Sequence, residues 1–224
     1  MKRNIPAVTL AIFTIVRIAF ATPPDGVTLI SRLTITAAKD ERRLSELDKA
    51  YLDVFTILRD ENTCSRLYGG PAAIDALNEM MRKLRPAYLD KHIAVRMSGE
   101  TTMFRNNDTG FSFRMFEKAE VNVLGSFYRG NSPSDNSVPR VADFQPNTRK
   151  TRAALLLHEL GHLVRGADQK WVLSDDGNNL DLSVKNTQRV VEACREEIEN
   201  VTRMTVAQQL EKPLSTVAAM ATEP

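Results

Sequence analysis

Aromatic residues are scarce, at 6% of 224 residues with a single tryptophan, Trp171. That argues against the aromatic stacking platforms on which single-stranded nucleic acids lie. An excess of either charge is also missing. Thirty basic residues face 28 acidic ones, a formal net charge of +2, so no polyanionic partner is implied and nucleic acid is not expected. Only two cysteines occur, Cys64 and Cys194, far apart in the chain, which excludes a cysteine-based metal cluster. No internal repeat and no low-complexity block is present, and the 42% hydrophobic and 26% charged residues are the ordinary balance of a globular domain.

One apolar run stands out, at residues 5–20, preceded by Lys2 and Arg3 and closing on Ala19-Phe20-Ala21. Small residues three and one positions before a cleavage point, after a basic start and an apolar stretch, form the layout of a secretory signal peptide. Arg17 interrupts the run, which is too short and too charged for a good membrane span. Cleavage after Ala21 would remove Lys2, Arg3 and Arg17 and no acidic residue, turning the net charge from +2 to −1. The expectation is therefore a secreted or periplasmic protein with no stable membrane insertion once the leader is removed. In an oxidising compartment an even pair of cysteines predicts a Cys64–Cys194 disulfide.

Residues 27–36 alternate in polarity and read as a strand. Residues 41–59 switch to helical spacing, with Leu44, Leu47, Tyr51, Val54, Phe55 and Leu58 on one face. A second helix is predicted from Pro71 until Pro86. Three alternating stretches follow, around Ile93 to Met97, Phe111 to Met115 and Val121 to Phe127, then a polar loop over residues 129–146. Asn147 or Thr148 caps a strongly apolar helix that Gly166 would stop, and Ser183 would cap a last helix bearing Thr187, Val190, Val191, Cys194, Ile198 and Val201 on its inner face. This order predicts an α+β fold. It assigns residues 1–21 to the signal peptide, 22–212 to one domain and 213–224 to a flexible tail.

Two of the three histidines fall in Leu157-His158-Glu159-Leu160-Gly161-His162-Leu163, an H-E-x-x-H pattern on a predicted helix. Residues four apart stack on one helix face, so His158 and His162 can turn their imidazoles to one ion. Imidazole nitrogens suit Zn²⁺, and Glu159, next to the first ligand, can act as general base on a metal-activated water. A catalytic zinc site usually takes a third protein ligand. Asp176 and Asp168 are level candidates, with Glu192 behind them. His92, far upstream, reads as a surface residue.

The stretch around the motif, residues 155–164, resembles the zincin-type metallopeptidases. Residues 176–194, with Asp176-Gly177, Ser183, Asn186 and Cys194, also resemble uncharacterised exported bacterial proteins, which carries no activity with it. The zincin resemblance implies a small antiparallel or mixed sheet packed on the active-site helix and further helices. It implies hydrolysis of a peptide or protein substrate, with an edge strand, here residues 121–128, that holds the extended substrate. Among zincins the metzincin pattern places glycine and then His or Asp after the second histidine. Here Gly166 comes one residue late and Asp168 stands at the ligand position. The gluzincin pattern draws a Glu from a later helix, where Glu192, Glu196 and Glu197 are available. A zincin-like metal-binding or interaction module without turnover is the alternative. The oligomeric state is not readable.

Overall fold

In the computed structural model, the described residues are 45–211 except 91, 135, 167 and 178. The leader at 1–21, the strand at 27–36 and the tail at 213–224 lie outside them. The described residues form a mixed α+β arrangement of six helices and a three-stranded sheet. No helix among them is long and apolar enough to cross a membrane.

Helix α1, Glu46–Arg59, starts at a capping box in which Ser45 and Asp48 satisfy each other's backbone N–H groups. It buries Tyr51, Val54 and Leu58, much as the helical spacing predicts. Asn62 caps the short α2, Thr63–Leu67, which was not anticipated, and α3 covers Ala73–Lys83.

The helix expected to run to Pro86 ends earlier. Residues Leu84–Ala87 form a strand, β1, parallel to the last strand of the sheet. Pro86 is tolerated because β1 is an edge strand among the described residues, where a missing N–H need not break a ladder.

Strands β2, Val95–Arg105, and β3, Ser112–Asn122, make a long antiparallel hairpin. The sheet order is β1-β3-β2. Two of the expected short stretches are thus one continuous strand, since Phe113, Met115, Ala119 and Val121 all face the core. Residues 121–128 are not an edge strand: β3 is central and ends at Asn122. The chain then turns, with Gly125 N–H bonded to the Asn122 carbonyl. The strand left at the sheet edge on that side is β2.

Helix α4, Arg149–Leu163, is capped by Thr148 and is buried at every position from 151 to 163. It is the central rod of the molecule, packed on α1, α5 and the sheet. Tyr68, itself fully buried, donates to the Leu157 carbonyl at 2.8 Å. The helix stops at Leu163, earlier than Gly166, because Val164 turns extended and bridges Phe113 of β3.

Helix α5, Leu180–Val201, begins three residues before the expected Ser183 cap, with Asn179 capping instead. The short α6, Val206–Glu211, closes the described chain.

Cys64 and Cys194 are disulfide-bonded, joining α2 to α5 across 130 residues of sequence. A disulfide typically contributes about 2–4 kcal/mol by restricting the unfolded chain.

Candidate metal centre

His158 and His162 lie one turn apart near the end of α4, and their Nε2 atoms are 3.1 Å from each other. The loop from Val164 to Asn179 returns over this end of the helix and brings in Asp176. Its Oδ2 is 3.2 Å from His158 Nε2 and 3.5 Å from His162 Nε2. Among the described residues, no other group of three His, Cys, Asp or Glu side chains gathers its donor atoms so closely.

The return of the loop depends on Gly161. A Cβ there would sit 2.6 Å from Leu173 Cγ, so only glycine lets Leu173 lie flat on the helix. Backbone bonds from Leu173 N–H to Gly161 O (2.9 Å) and from Val172 N–H to Val164 O (3.1 Å) hold the loop down. The Asn186 amide of α5 then donates to Asp176 Oδ2 at 3.2 Å and to the Ser174 carbonyl at 3.0 Å.

The donor set fits a small divalent cation. Four-coordinate zinc, with bonds of about 2.0–2.2 Å, places its ligand atoms roughly 3.3–3.5 Å apart, close to the triangle of 3.1, 3.2 and 3.5 Å seen here. Two imidazole nitrogens and one carboxylate suit zinc, and non-haem iron uses the same trio. Thr187 Oγ1 stands 3.0 Å from His158 Nδ1. A hydroxyl oxygen there can accept Nδ1–H, which would select the tautomer whose Nε2 lone pair faces the cluster. His162 Nδ1 is buried with no such partner.

The electrostatics are those of tightly coupled opposite charges. Burial works against ionisation of Asp176, yet the hydrogen bonds and charges of the two histidines hold its carboxyl well below the usual aspartate range. Burial would lower His162, but its hydrogen bond to the Asp176 carboxylate and the charges of Glu159 and Asp176 outweigh it and raise the imidazole.

Glu159 is 7% exposed and has no hydrogen-bond or ion-pair partner among the described residues. Burial raises its carboxyl, against the pull of His158 and His162. It lines a cleft of about 1270 Å³ together with both histidines and Asp176. The lining of the cleft includes α5, through Leu180, Val184 and Thr187, and β2, through Val95 and Met97.

No protein-family model, curated protein or solved structure matches this chain.

Of the two aspartates that stand level in the sequence, the loop brings Asp176 to the histidines. Asp168 lies outside the cluster, exposed, with its Oδ1 accepting the Lys170 N–H at 3.1 Å. Glu192 is exposed farther along the cleft, and Glu196 and Glu197 follow it on α5. His92 is exposed at the cleft.

Asn186, Thr187 and Gly161 escape a reading of motifs alone. Thr187 carried a signal nonetheless: it is a hydroxyl on an otherwise apolar helix stripe. Asn186 stood out only within the resemblance of residues 176–194 and with no role attached, since its partners lie 10 and 12 residues away across a loop.

Proposed function

We propose that this chain is an exported zinc-dependent peptidase with a zincin-like arrangement. His158, His162 and Asp176 would hold the ion and Glu159 would be the general base. The observation that carries the reading is Glu159: a buried carboxylate without a partner, beside two histidines and an aspartate, facing a cleft. An unpaired buried charge is costly, and a protein keeps one where chemistry needs it.

Bound there, zinc supplies Lewis acidity, drawing the pKa of a water it holds towards about 7 and polarising a carbonyl. Glu159 takes a proton from the attacking water as that oxygen bonds to the peptide carbonyl carbon, then passes the proton to the amine as the C–N bond breaks. Thr187 orients His158 throughout.

A peptide is the favoured substrate for two reasons. The β2 edge at Val95 and Met97 can pair with an extended chain along the cleft. Leu180 and Val184, 64% and 48% exposed, offer apolar contacts to its side chains. The disulfide and the lack of a membrane-spanning helix among the described residues are compatible with export.

A metal-binding module without turnover is the second reading. It is favoured by one observation: neither Tyr128 nor Arg165, two side chains able to donate to an oxyanion, lines the cleft.

Hydrolysis of a denatured protein by zinc-loaded wild type and Glu159→Gln separates the two. The peptidase reading expects a loss of about 10²–10⁴-fold in the variant. Equal rates, or none in either, leave the module.

A further inference from the structure

The Arg114 side chain from β3 touches both segments that carry the clustered ligands. Its Nε donates to the backbone carbonyl of His162 at 2.7 Å, on α4. Its Nη1 donates to Asp175 Oδ2 at 3.1 Å and its Nη2 to Asp175 Oδ1, on the returning loop. The guanidinium lies against Trp171 and Phe116, with Cζ 4.2 Å and 5.3 Å from their ring centroids.

Arg114 is 9% exposed. A cation this deep persists because its donors are used, and a planar fork can meet a carboxylate and a carbonyl together where an ammonium cannot. The neighbouring carboxylates of the loop thus serve different partners. Asp175 turns to Arg114, and Asp176 turns to the histidines.

We propose that Arg114 is a positioning residue for the metal centre. By gripping Asp175 and the His162 carbonyl on one rigid group, it fixes the distance between the loop that carries Asp176 and the helix that carries His158 and His162. This rests on the metal reading above, and it adds a residue 44 positions before the first histidine of the motif. Leu173 on Gly161 and Asn186 on Asp176 hold the loop down, while Arg114 sets its register against the helix end.

The test is zinc affinity of metal-free protein, by competition with a chromogenic chelator, for wild type, Arg114→Lys, Asp175→Asn and the double variant. The melting temperature of each metal-free protein is recorded alongside. Loss of an outer partner of a metal site typically weakens binding by about 10–100-fold. That loss is expected in each single variant, with no further loss in the double one, because both break the same grip. Asp175 has a side chain 57% exposed and asparagine keeps an oxygen for Arg114 to bond, so Asp175→Asn folds and carries the test even if Arg114→Lys folds poorly.

Emission of Trp171, the single tryptophan, gives a second readout: zinc should shift it in wild type and shift it less in Asp175→Asn. Wild-type affinity in Asp175→Asn, or losses that add in the double variant, overturns the positioning role and leaves the metal reading standing. No zinc binding by wild type overturns both.

Discussion

Helix α4 carries a buried ionic cluster at each end, and the two are finished differently. At the N-terminal end, Arg149 grips Asp53 through Nε (2.8 Å) and Nη2 (2.6 Å) and donates to the Met204 carbonyl at 2.6 Å. Gln209 adds a bond to the same carboxylate at 2.6 Å. Asp53 is fully buried, yet both of its oxygens are used. At the C-terminal end, Glu159 is nearly as deep and has no partner, and His162 Nδ1 has none either. In the first cluster the carboxylate is closed off by Arg149 and Gln209, with Gln209 Oε1 left over, and its place is in folding. The second is left open towards a cleft, and an open buried cluster is where a ligand and chemistry fit.

Variants at the two ends should therefore fail in opposite ways. The largest effect expected is that of Glu159→Gln: turnover falls by about 10²–10⁴-fold, while the melting temperature holds or rises, because an unpaired buried charge has been removed. A clear fall in melting temperature would mean that Glu159 is a structural group after all, and the contrast between the ends would be lost.

Arg149→Met should do the reverse. Leaving Asp53 buried without its cation costs about 3–5 kcal/mol, measurable by urea unfolding, with zinc content unchanged. This loss has a definite pH dependence. Burial raises the Asp53 carboxyl above its ordinary value even against Arg149, and without the guanidinium it rises further. A raised carboxyl favours folding while protonated and loses that contribution as the pH climbs through its folded-state value. The deficit of Arg149→Met therefore shrinks on acidification and grows as the pH is raised.

Gly161→Ala sharpens the comparison from within the open end. The added Cβ meets Leu173, an overpacking that costs about 1–3 kcal/mol. Lifting the loop also moves Asp176, so zinc affinity should fall together with stability, as it does not in Arg149→Met.

The smallest effect is expected at Arg195→Ala. Arg195 and Asp143 form a bidentate pair at 2.8 and 2.9 Å that is largely exposed. The hydrogen bond from Arg195 holds Asp143 below the usual aspartate value, so the contribution of the pair is present above about pH 4 and fades as pH falls below it. Being screened by water, it should move the melting temperature at pH 7 by less than about 2 °C.

What could be read in the sequence tracks the distance over which each feature is set. The helix bearing His158, Glu159 and His162 is local: an apolar run fixes the helix, and a spacing of four fixes the shared face. The disulfide needed only a count of two cysteines and the expectation of export. The third member of the cluster was half legible, because Asp168 and Asp176 are equal as loop carboxylates. What separates them is the Leu173–Gly161 contact and the Asn186 bond, neither of which has a periodic signature.

Arg114 was invisible. It acts on His162 and Asp175 from 48 and 61 residues away, through a sheet register that no spacing reveals. The strand β1 was misread because Pro86 looks like a helix stop, and its parallel partner lies in β3. The edge of the sheet was misassigned for the same reason: strand order is a long-range property.

The central claim is that His158, His162 and Asp176 grip one divalent cation together. Zinc-edge X-ray absorption on protein loaded with one equivalent and passed over a desalting column tests it most directly. The account predicts retained zinc with two imidazole nitrogens at about 2.0–2.1 Å and low-coordinate oxygen at a similar distance. Zinc lost on the column, or a shell of oxygen without imidazole scattering, would contradict it.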